Sequence, residues 1–325
     1  MNHNIDPILR ADLQRVSELF PHWEELRNKS VFITGATGLV GSMLVRCLCA
    51  APVSITVIAH VRNEQKARAM FGELPIVYCV GDVTAPVSYE GKVDHILHTA
   101  SVTASKTFVT QPVDTLMTAI DGTKNLLEFA RQKHVQSMVY VSSMEAYGIT
   151  DPGLEWVTEN DLGYIDILSV RSSYSEGKRI CECLCAAYAA QYGVNVRIAR
   201  LAQTFGAGVS YEDGRVFAEF ARCAIEKRDI VLHTQGRTLR TYCYLRDAII
   251  ALFFLMLRGE AGQAYNVTNM ETAISVLNDS KAVFTAEALD KKQSYATLKT
   301  MSAAVVATVD PLTLVKDSLT HTFTP

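Results

Sequence analysis

The stretch "VFITGATGLVGS", residues 31–42, constrains the fold of this 325-residue chain more than any other. Its glycines, Gly35, Gly38 and Gly41, have the spacing G-x-x-G-x-x-G and lie between a predicted strand and a predicted helix. Glycine permits a tight turn and a close approach of the backbone to a pyrophosphate, and a helix N-terminus supplies free N–H groups with partial positive charge. The motif therefore predicts a nucleotide-binding turn.

After this turn the pattern alternates between strands and helices. Several strand candidates are continuous apolar runs, such as residues 55–59, which is typical of strands buried on both faces. The predicted strands are residues 31–35, 54–60, 75–80, 93–99, 136–142 and 194–200. The predicted helices are residues 39–50, 63–71, 112–133, 171–192, 216–227 and 245–258. This alternation predicts an α/β fold with a Rossmann-type, doubly wound parallel sheet.

Charge and cysteine spacing argue against several classes of function. The net charge is −3, with 31 basic and 34 acidic side chains, and no basic run predicts a nucleic-acid surface. No apolar run near a terminus is long enough to span a bilayer, and residues 1–12 carry no signal-peptide pattern. The 8 cysteines lack the paired spacings and His partners of a zinc site, so we expect no metal. These features predict a cytoplasmic protein that binds neither nucleic acid nor membrane.

The residues that follow the second and third predicted strands bear on the cofactor. Many dinucleotide sites carry an acid after the second strand to hold the ribose hydroxyls, but "AHVRN", residues 59–63, has none. Arg62 suits a 2′-phosphate, which favours NADP; stacking on adenine or a solvated position explains it equally well. Asp82 in "GDVT" is placed to accept from the adenine amino group, unless it only forms a turn. The expected cofactor is NAD(P), with NAD versus NADP open.

A second motif, Tyr174-x-x-x-Lys178, lies in "SSYSEGKR". At positions i and i+4 of a helix the two side chains share one face, which brings an ammonium near a phenol. Because a phenol ordinarily has a pKa of about 10, a neighbouring cation is needed to make it a base near neutrality. Ser143 lies at the end of a predicted strand, 31 residues before Tyr174.

With these motifs in place, the chain resembles the extended short-chain dehydrogenase/reductase superfamily, in its nucleotide-sugar epimerase/dehydratase/decarboxylase branch. The resemblance covers roughly residues 31–268. It rests on "TGATGLVG", "GDV", "HTAS", "GTKNLLEFA", "SSMEAYG", "YSEGK", "RIARLAQTFG" and "RTYCYLRD". It implies an NAD(P)-dependent enzyme acting on a nucleotide-diphosphate sugar.

The resemblance also implies a division of the chain. An NAD(P)-binding Rossmann domain spans residues 30–200, and residues 236–268 return to it. A smaller C-terminal substrate-binding lobe takes residues 201–235 and 269–325, and it is expected to be abbreviated, because its last part lacks the family's late substrate-binding pattern. Outside the resemblance, the helical pattern of residues 8–27 predicts an N-terminal helical extension at residues 1–29.

By the same resemblance, site residues receive roles. Tyr174 is the base that takes a proton from a sugar hydroxyl as hydride passes to the nicotinamide. Lys178 lowers the pKa of that phenol and holds the nicotinamide ribose, and Ser143 hydrogen-bonds the reacting hydroxyl. Cofactor contacts are implied at Gly35, Thr37, Gly38, Leu39, Val40, Gly41, Arg62, Asp82, Val83, Thr99, Ala100, Ser101, Tyr174 and Lys178.

Met144 and Glu145 bear on the reaction that follows the first oxidation. In the 4,6-dehydratases an Asp at the position of Met144 protonates the departing hydroxyl; a thioether cannot deliver a proton, so dehydration is disfavoured. UDP-glucuronate decarboxylases keep a Glu at the position of Glu145 but have Ser before it. C4-epimerases tolerate apolar residues there, with Glu145 then bonding a sugar hydroxyl.

Substrate contacts are implied at Ser143, Met144, Gln203, Arg215 and Arg240. The arginine matching Arg240 lies at the substrate diphosphate in the decarboxylases, where guanidinium groups bind in bidentate fashion. Gln203 replaces the family's usual Asn, which predicts a reshaped diphosphate pocket.

The reading favoured by the sequence is an epimerase that works through a transient 4-keto sugar. A UDP-glucuronate-type decarboxylase is the alternative, followed by an NADPH-dependent keto-sugar reductase. The resemblance also implies a homodimer, because the family's equivalents of helices 112–133 and 171–192 often form a four-helix seam. Apolar positions are available for it, although core packing also explains most of them: Leu116, Ile120, Leu127, Ala130, Ile180, Leu184 and Tyr188.

Overall fold

The computed structural model describes residues 6–232, 235 and 239–275. Its α-helices are α1 (Pro7–Leu19), α2 (Leu39–Cys49), α3 (Glu64–Phe71), α4 (Ser105–Thr110), α5 (Pro112–Lys133), α6 (Ser172–Tyr192), α7 (Val216–Ile225) and α8 (Leu245–Arg258). Its strands are β1 (Ser30–Thr34), β2 (Thr56–Val61), β3 (Ile76–Val80), β4 (His95–His98), β5 (Ser137–Ser143), β6 (Val196–Leu201), β7 (Gln203–Phe205), β8 (Leu239–Tyr244), β9 (Ala264–Val267) and β10 (Asn269–Ser275).

Seven strands form one parallel sheet in the order β3-β2-β1-β4-β5-β6-β9. All residues of β1 and β6 are buried, because helices cover both faces of the sheet, as the continuous apolar runs indicated. The predicted fold class, a Rossmann-type doubly wound parallel sheet with a smaller C-terminal lobe, is confirmed.

The strand order reverses between β1 and β4. From β1 the chain proceeds outward through β2 and β3, and it then returns to the other side of β1 for β4, β5 and β6. In sheets of this kind ligands bind in the crevice at the carboxyl ends of the strands where the order reverses. The glycine turn, the end of β4 and the end of β5 all lie along this edge.

A second sheet has the order β10-β8-β7, with β8 antiparallel to β10 and parallel to β7. Of the segment 236–268 expected to return to the main domain, α8 packs in the core of the main sheet and β9 forms its edge, whereas β8 belongs to the second sheet. The expectation for residues 276–325, the end of an abbreviated lobe, concerns residues outside those described.

The N-terminal segment covers α8. Asp6 caps α1 by accepting from the N–H groups of Ile8 and Leu9. Beyond α1, Phe20 is buried and lies edge-on to Phe254 of α8, with 5.4 Å between ring centroids. The aliphatic stripe of α1 thus joins the hydrophobic core on one face of the main sheet.

On the opposite face, α5 and α6 lie side by side. A Cβ at Gly177 of α6 would be 3.4 Å from Leu116 Cδ1, so the two helices approach closely where that glycine lies. No helix within the described ranges is long and apolar enough to cross a membrane. The described residues also contain no cluster of three or more His, Cys, Asp or Glu side chains suited to a metal ion.

Candidate active site

The glycine turn lies between the end of β1 and the start of α2, as the motif predicts. Gly35 has φ +64°, and a Cβ there would be 2.8 Å from the Ala100 backbone. A Cβ at Gly41 would be 2.2 Å from the Gly35 carbonyl oxygen. Glycine is therefore required at both positions, because only a missing side chain lets the turn pack this closely.

The mouth of this turn is open to a ligand. Gly38 is the N-cap of α2, and no side chain caps the helix there. A Cβ at Gly38 would meet only the Gly35 carbonyl oxygen, at 3.2 Å. The first N–H groups of α2, which begin at Leu39 and Val40 next to Thr37, consequently have no partner within the helix.

Hydrogen bonds tie the end of β1 to the end of β4. Thr99 Oγ1 donates to the Thr34 carbonyl oxygen at 2.7 Å, and the Ala100 N–H donates to Thr34 Oγ1 at 3.2 Å. Ser101 donates to the Val102 carbonyl oxygen. The predicted residues after β4 thus line one wall of the crevice beside the glycine turn.

Arg62 and Asp82, which follow β2 and β3, are brought together. Arg62 Nη1 lies 3.8 Å from Asp82 Oδ2, and Asp82 also accepts from the N–H and hydroxyl of Thr84, which lowers the pKa of its carboxyl. The Arg62 side chain is 82% exposed. Val83 is buried beneath α5 against Gly122, so it packs in the core.

The catalytic edge is formed by β5, the short 3₁₀ turn Met144–Tyr147 and the first turns of α6. Ser143 ends β5, and its hydroxyl accepts from the Glu145 N–H at 3.2 Å. The same hydroxyl acts on the Tyr174 phenol and lowers its pKa. The predicted set Ser143, Glu145 and Tyr174 is thus assembled in one place, with Met144 half-buried in the same turn.

The Tyr174 ring is held by an aromatic partner from α4. Phe108 stacks on it with 4.3 Å between ring centroids and an interplanar angle of 10°. Burial raises the pKa of the Tyr174 phenol to about 12. The Ser143 hydroxyl and the charges of Arg171 and Arg215 lower the pKa of this phenol, whereas the Glu145 charge adds to the rise.

Lys178 lies one helical turn beyond Tyr174 and is 3% exposed. Its Nζ donates to the Val141 carbonyl oxygen at 2.8 Å and lies 5.6 Å from the centroid of the Tyr174 ring. Burial lowers the pKa of the ammonium to about 8. The predicted Tyr–Lys pair therefore shares one helix face, in a pocket that disfavours both charged forms.

Two functional candidates were missed from the sequence. Arg171, just before α6, donates from Nη2 to both carboxylate oxygens of Glu145, at 3.0 and 2.8 Å, and Ser175 donates to the same carboxylate at 3.3 Å. Phe108 is the second. Arg171 lies three residues before Tyr174, a spacing that places both on one helix side and was available as a signal.

The predicted substrate residues lie in different surroundings. Arg215 precedes α7, is paired with Asp213 at 2.7 Å and donates to the Thr204 carbonyl oxygen; its charge acts on Tyr174. Arg240 lies in β8, and its buried Nε has no hydrogen-bond partner among the described residues. Gln203 begins β7, opposite Tyr242 of β8.

Behind the edge lies a buried ion pair that connects α6 to β6. Glu182 accepts from Arg200 Nη2 at 2.7 Å, with 9% and 5% of the two side chains exposed, and it also accepts from Ser142. Arg200 donates in turn to the Tyr147 hydroxyl at 3.0 Å. This network fixes the end of β5 and the following turn against α6.

A search for relatives reveals the chain's family. The model of the NAD dependent epimerase/dehydratase family matches residues 31–268. The chain belongs to this family. Membership confirms the family resemblance seen in the motifs and the expected nicotinamide cofactor, with NAD versus NADP left open.

Among curated proteins, the chain is 32% identical over 234 residues to UDP-glucuronic acid decarboxylase 1 of Xenopus tropicalis, covering 71% of this chain and 54% of that one. It is 31% identical over 245 residues to UDP-glucuronic acid decarboxylase 6 of Arabidopsis thaliana, covering 74% and 70%. The match thus spans about half the length of the frog relative. These relatives favour decarboxylation, the alternative considered from the sequence, over epimerisation, which is not confirmed.

A solved structure of dTDP-glucose 4,6-dehydratase from Bacillus anthracis, in complex with NAD, matches with a TM-score of 0.66 and 18% identity. The superposition covers 81% of this chain and 82% of that one. At this identity the likeness supports the fold alone.

Proposed function

We propose that this protein is an NAD(P)-dependent enzyme that decarboxylates a UDP-linked hexuronic acid through a transient 4-keto sugar. The observation that carries the proposal is the Glu145 carboxylate, which lies in the turn after Ser143 and acts electrostatically on Tyr174. The relatives that are named UDP-glucuronic acid decarboxylases support the choice of substrate.

The crevice fits a dinucleotide. The open mouth at Gly38 and the uncapped start of α2 suit a pyrophosphate, and Thr99, Ala100 and Ser101 would line the nicotinamide side. Arg62 and Asp82 would meet the adenosine end. When bound, the oxidised nicotinamide supplies the hydride acceptor at C4 of the sugar.

In the proposed reaction, Tyr174 would take the proton of the C4 hydroxyl as that carbon loses hydride, with Ser143 hydrogen-bonded to the same oxygen. Lys178 would stabilise the phenolate. The resulting C4 ketone lies β to the C5 carboxylate. The C5–carboxyl bond then breaks, carbon dioxide leaves, and its electron pair becomes an enolate that is protonated at C5. Hydride and proton return to C4 and its oxygen, so the cycle is redox-neutral.

Glu145 would orient the sugar during loss of the carboxylate, because its oxygens are fixed by Arg171 and Ser175. Met144 has no acidic proton to give to a departing hydroxyl, which argues against dehydration. Arg240, whose buried Nε has no hydrogen-bond partner within the described part of the chain, would bind the diphosphate. Arg215 and Gln203 would complete that side of the substrate site.

A C4-epimerase is the second candidate, and Met144 is the observation that favours it. This half-buried thioether offers an apolar surface beside Ser143, against which a 4-keto sugar can turn before hydride returns. Both reactions need Ser143, Tyr174 and Lys178 in the same roles.

We also propose a cytoplasmic homodimer. Val113 and Met117 of α5 are 70% and 42% exposed, and Ile180 of α6 is 44% exposed; burying them against a second copy would remove apolar surface from water. Leu127 and Ala130, expected at the same seam, are instead buried within the protomer, because they face the sheet.

The test is incubation of the NAD-loaded protein with UDP-glucuronate, following carbon dioxide and the sugar product. The proposal expects multiple turnovers of carbon dioxide with no net change in NADH. Tyr174→Phe, the control, should bind NAD and release none. A C4 epimer without carbon dioxide would support the epimerase instead. Stoichiometric NADPH consumption with a keto sugar would support the reductase, and either result would overturn decarboxylation.

A further inference from the structure

Arg171 is the charged group that holds Glu145 in place. Its Nη2 lies within 3.0 Å of both carboxylate oxygens, and the two side chains are 40% and 30% exposed. Arg171 lies at the N-cap of α6, whereas Glu145 lies in the 3₁₀ turn after β5. The ion pair therefore links the two elements that carry the catalytic groups.

The same guanidinium also contacts the aromatic stack on Tyr174. Arg171 Cζ lies 4.8 Å from the centroid of the Phe108 ring, and that ring is stacked on Tyr174. A cation over an aromatic face is attracted to it. Arg171 is thus connected to the phenol by two routes, through the charge of Glu145 and through the ring of Phe108.

The charged groups that face Tyr174 come from the turn after β5, from α6 and from the residue before α7. Glu145 is an acid whose charge opposes a phenolate. Arg171 and Arg215 favour the phenolate, and the Lys178 ammonium lies 5.6 Å from the ring centroid. The neutral Tyr140 phenol of β5 also interacts with Tyr174. Arg215 is paired with Asp213, which leaves Arg171 to offset Glu145.

We propose that Arg171 is a positioning residue of the reaction: it screens the Glu145 carboxylate from the Tyr174 phenol and, through Phe108, fixes the plane of the phenol ring. This inference rests on the proposed function for the part that Tyr174 plays as the base. A carboxylate is thereby retained beside the base without suppressing it. Arg171 itself would touch neither the sugar nor the nicotinamide.

The direct test replaces Tyr174 by a difluorinated tyrosine, whose more acidic phenol titrates in an accessible range, and follows its fluorine NMR signal in the NAD-loaded full chain. In Arg171→Met the midpoint should move to higher pH by about one, a tenfold loss of phenolate at fixed pH. Glu145→Gln should move it to lower pH. In the Glu145→Gln background, loss of Arg171 should raise the midpoint by clearly less than it does in the wild type, because only the direct attraction of the arginine charge is then lost. Arg171→Lys should restore most of the shift.

A role for Arg171 that does not pass through Glu145, whether structural or by its direct charge alone, would shift the midpoint equally with and without Glu145. That result, or an unchanged midpoint in Arg171→Met, would overturn the inference. Arg131→Met, which removes an exposed partner of Glu128 on α5, is the matched control and should leave the midpoint unchanged.

The fluorine signal is measured without substrate, so the screening role of Arg171 is tested independently of whether the protein decarboxylates the sugar. A wild-type protein that releases no carbon dioxide but shows the expected pattern of midpoints refutes the proposed reaction and supports the screening role. In an active protein, the acidic limb of the pH profile of carbon dioxide release should move to higher pH in Arg171→Met and be restored in Arg171→Lys.

Discussion

Replacing Lys178 by methionine is expected to stabilise the nucleotide-free protein at neutral pH while abolishing turnover. The Lys178 ammonium is 3% exposed, and its described hydrogen bond goes to a backbone carbonyl oxygen rather than to a carboxylate. Burial lowers its pKa from 10.5 to about 8. Folding therefore disfavours the charged form, and methionine fills similar space without a charge.

The magnitude follows from that pKa change. At about 1.4 kcal/mol per factor of ten, a fall from 10.5 to about 8 costs about 3 kcal/mol at pH 7. The unfolded chain binds more protons than the folded one between these two values. The destabilisation is therefore fully present below pH 8, falls to about 1 kcal/mol at pH 10 and is lost above 10.5. Lys178→Met also loses the hydrogen bond to Val141, which reduces the expected gain in stability by a smaller amount that does not depend on pH.

The assay is urea unfolding of wild type and Lys178→Met at pH values from about 7 to about 10, a range that covers most of the interval between the two pKa values. Bound nucleotide must first be removed, because a ligand of the folded state adds its own stabilisation. Lys124→Met, at an exposed position of α5, is the control and should show no pH-dependent difference. A difference between wild type and Lys178→Met that stays constant with pH would refute the reasoning.

Three further outcomes are expected. Gly41→Ala should lose NAD binding in calorimetry because its Cβ would be 2.2 Å from a carbonyl oxygen, whereas Gly214→Ala, where a Cβ meets nothing within 4 Å, should bind normally. Glu182→Ala should lower the free energy of unfolding by about 3–5 kcal/mol, because it leaves the buried Arg200 without its carboxylate partner. Glu176→Ala, at a half-exposed ion pair, should cost about 1 kcal/mol or less. Equal losses for the two variants in urea unfolding would contradict this. Arg62→Ala should weaken NADP more than NAD if the guanidinium meets a 2′-phosphate, and equal changes in the two dissociation constants would exclude that contact.

Six of the seven strands of the parallel sheet were predictable because they are mainly apolar and alternate with helices, whereas the four-residue edge strand β9 was missed. The six predicted strands correspond to β1 to β6 and the six predicted helices to α2, α3 and α5 to α8. The elements that were missed lack such a signal. α4 has six residues and β7 has three, which is too short to show a period, and β8 is exposed at one end and mixed in polarity.

Within the site, the sequence did not reveal contacts between residues that lie far apart in the chain. Ser143, Tyr174 and Lys178 were found because they belong to local motifs with fixed spacing. Phe108 lies 66 residues before Tyr174 in the sequence, and nothing in the six-residue α4 marks it as an aromatic partner. The role of Glu145 likewise depends on Arg171, 26 residues away. Glu145 could therefore be identified from the sequence, but the arginine that holds its carboxylate could not.

This contact bears on the choice between decarboxylation and epimerisation. In an epimerase the carboxylate would need only to accept from a sugar hydroxyl, and a neutral amide would serve, so Glu145→Gln would retain much of the activity. In the proposed decarboxylase it must orient a substrate that carries its own negative charge at C5, and two carboxylates in one pocket repel each other. An arginine bonded to both oxygens of Glu145 offsets that repulsion, because the pair presents little net charge to the substrate. The Arg171–Glu145 pair is thus better matched to an acidic sugar than a free carboxylate would be.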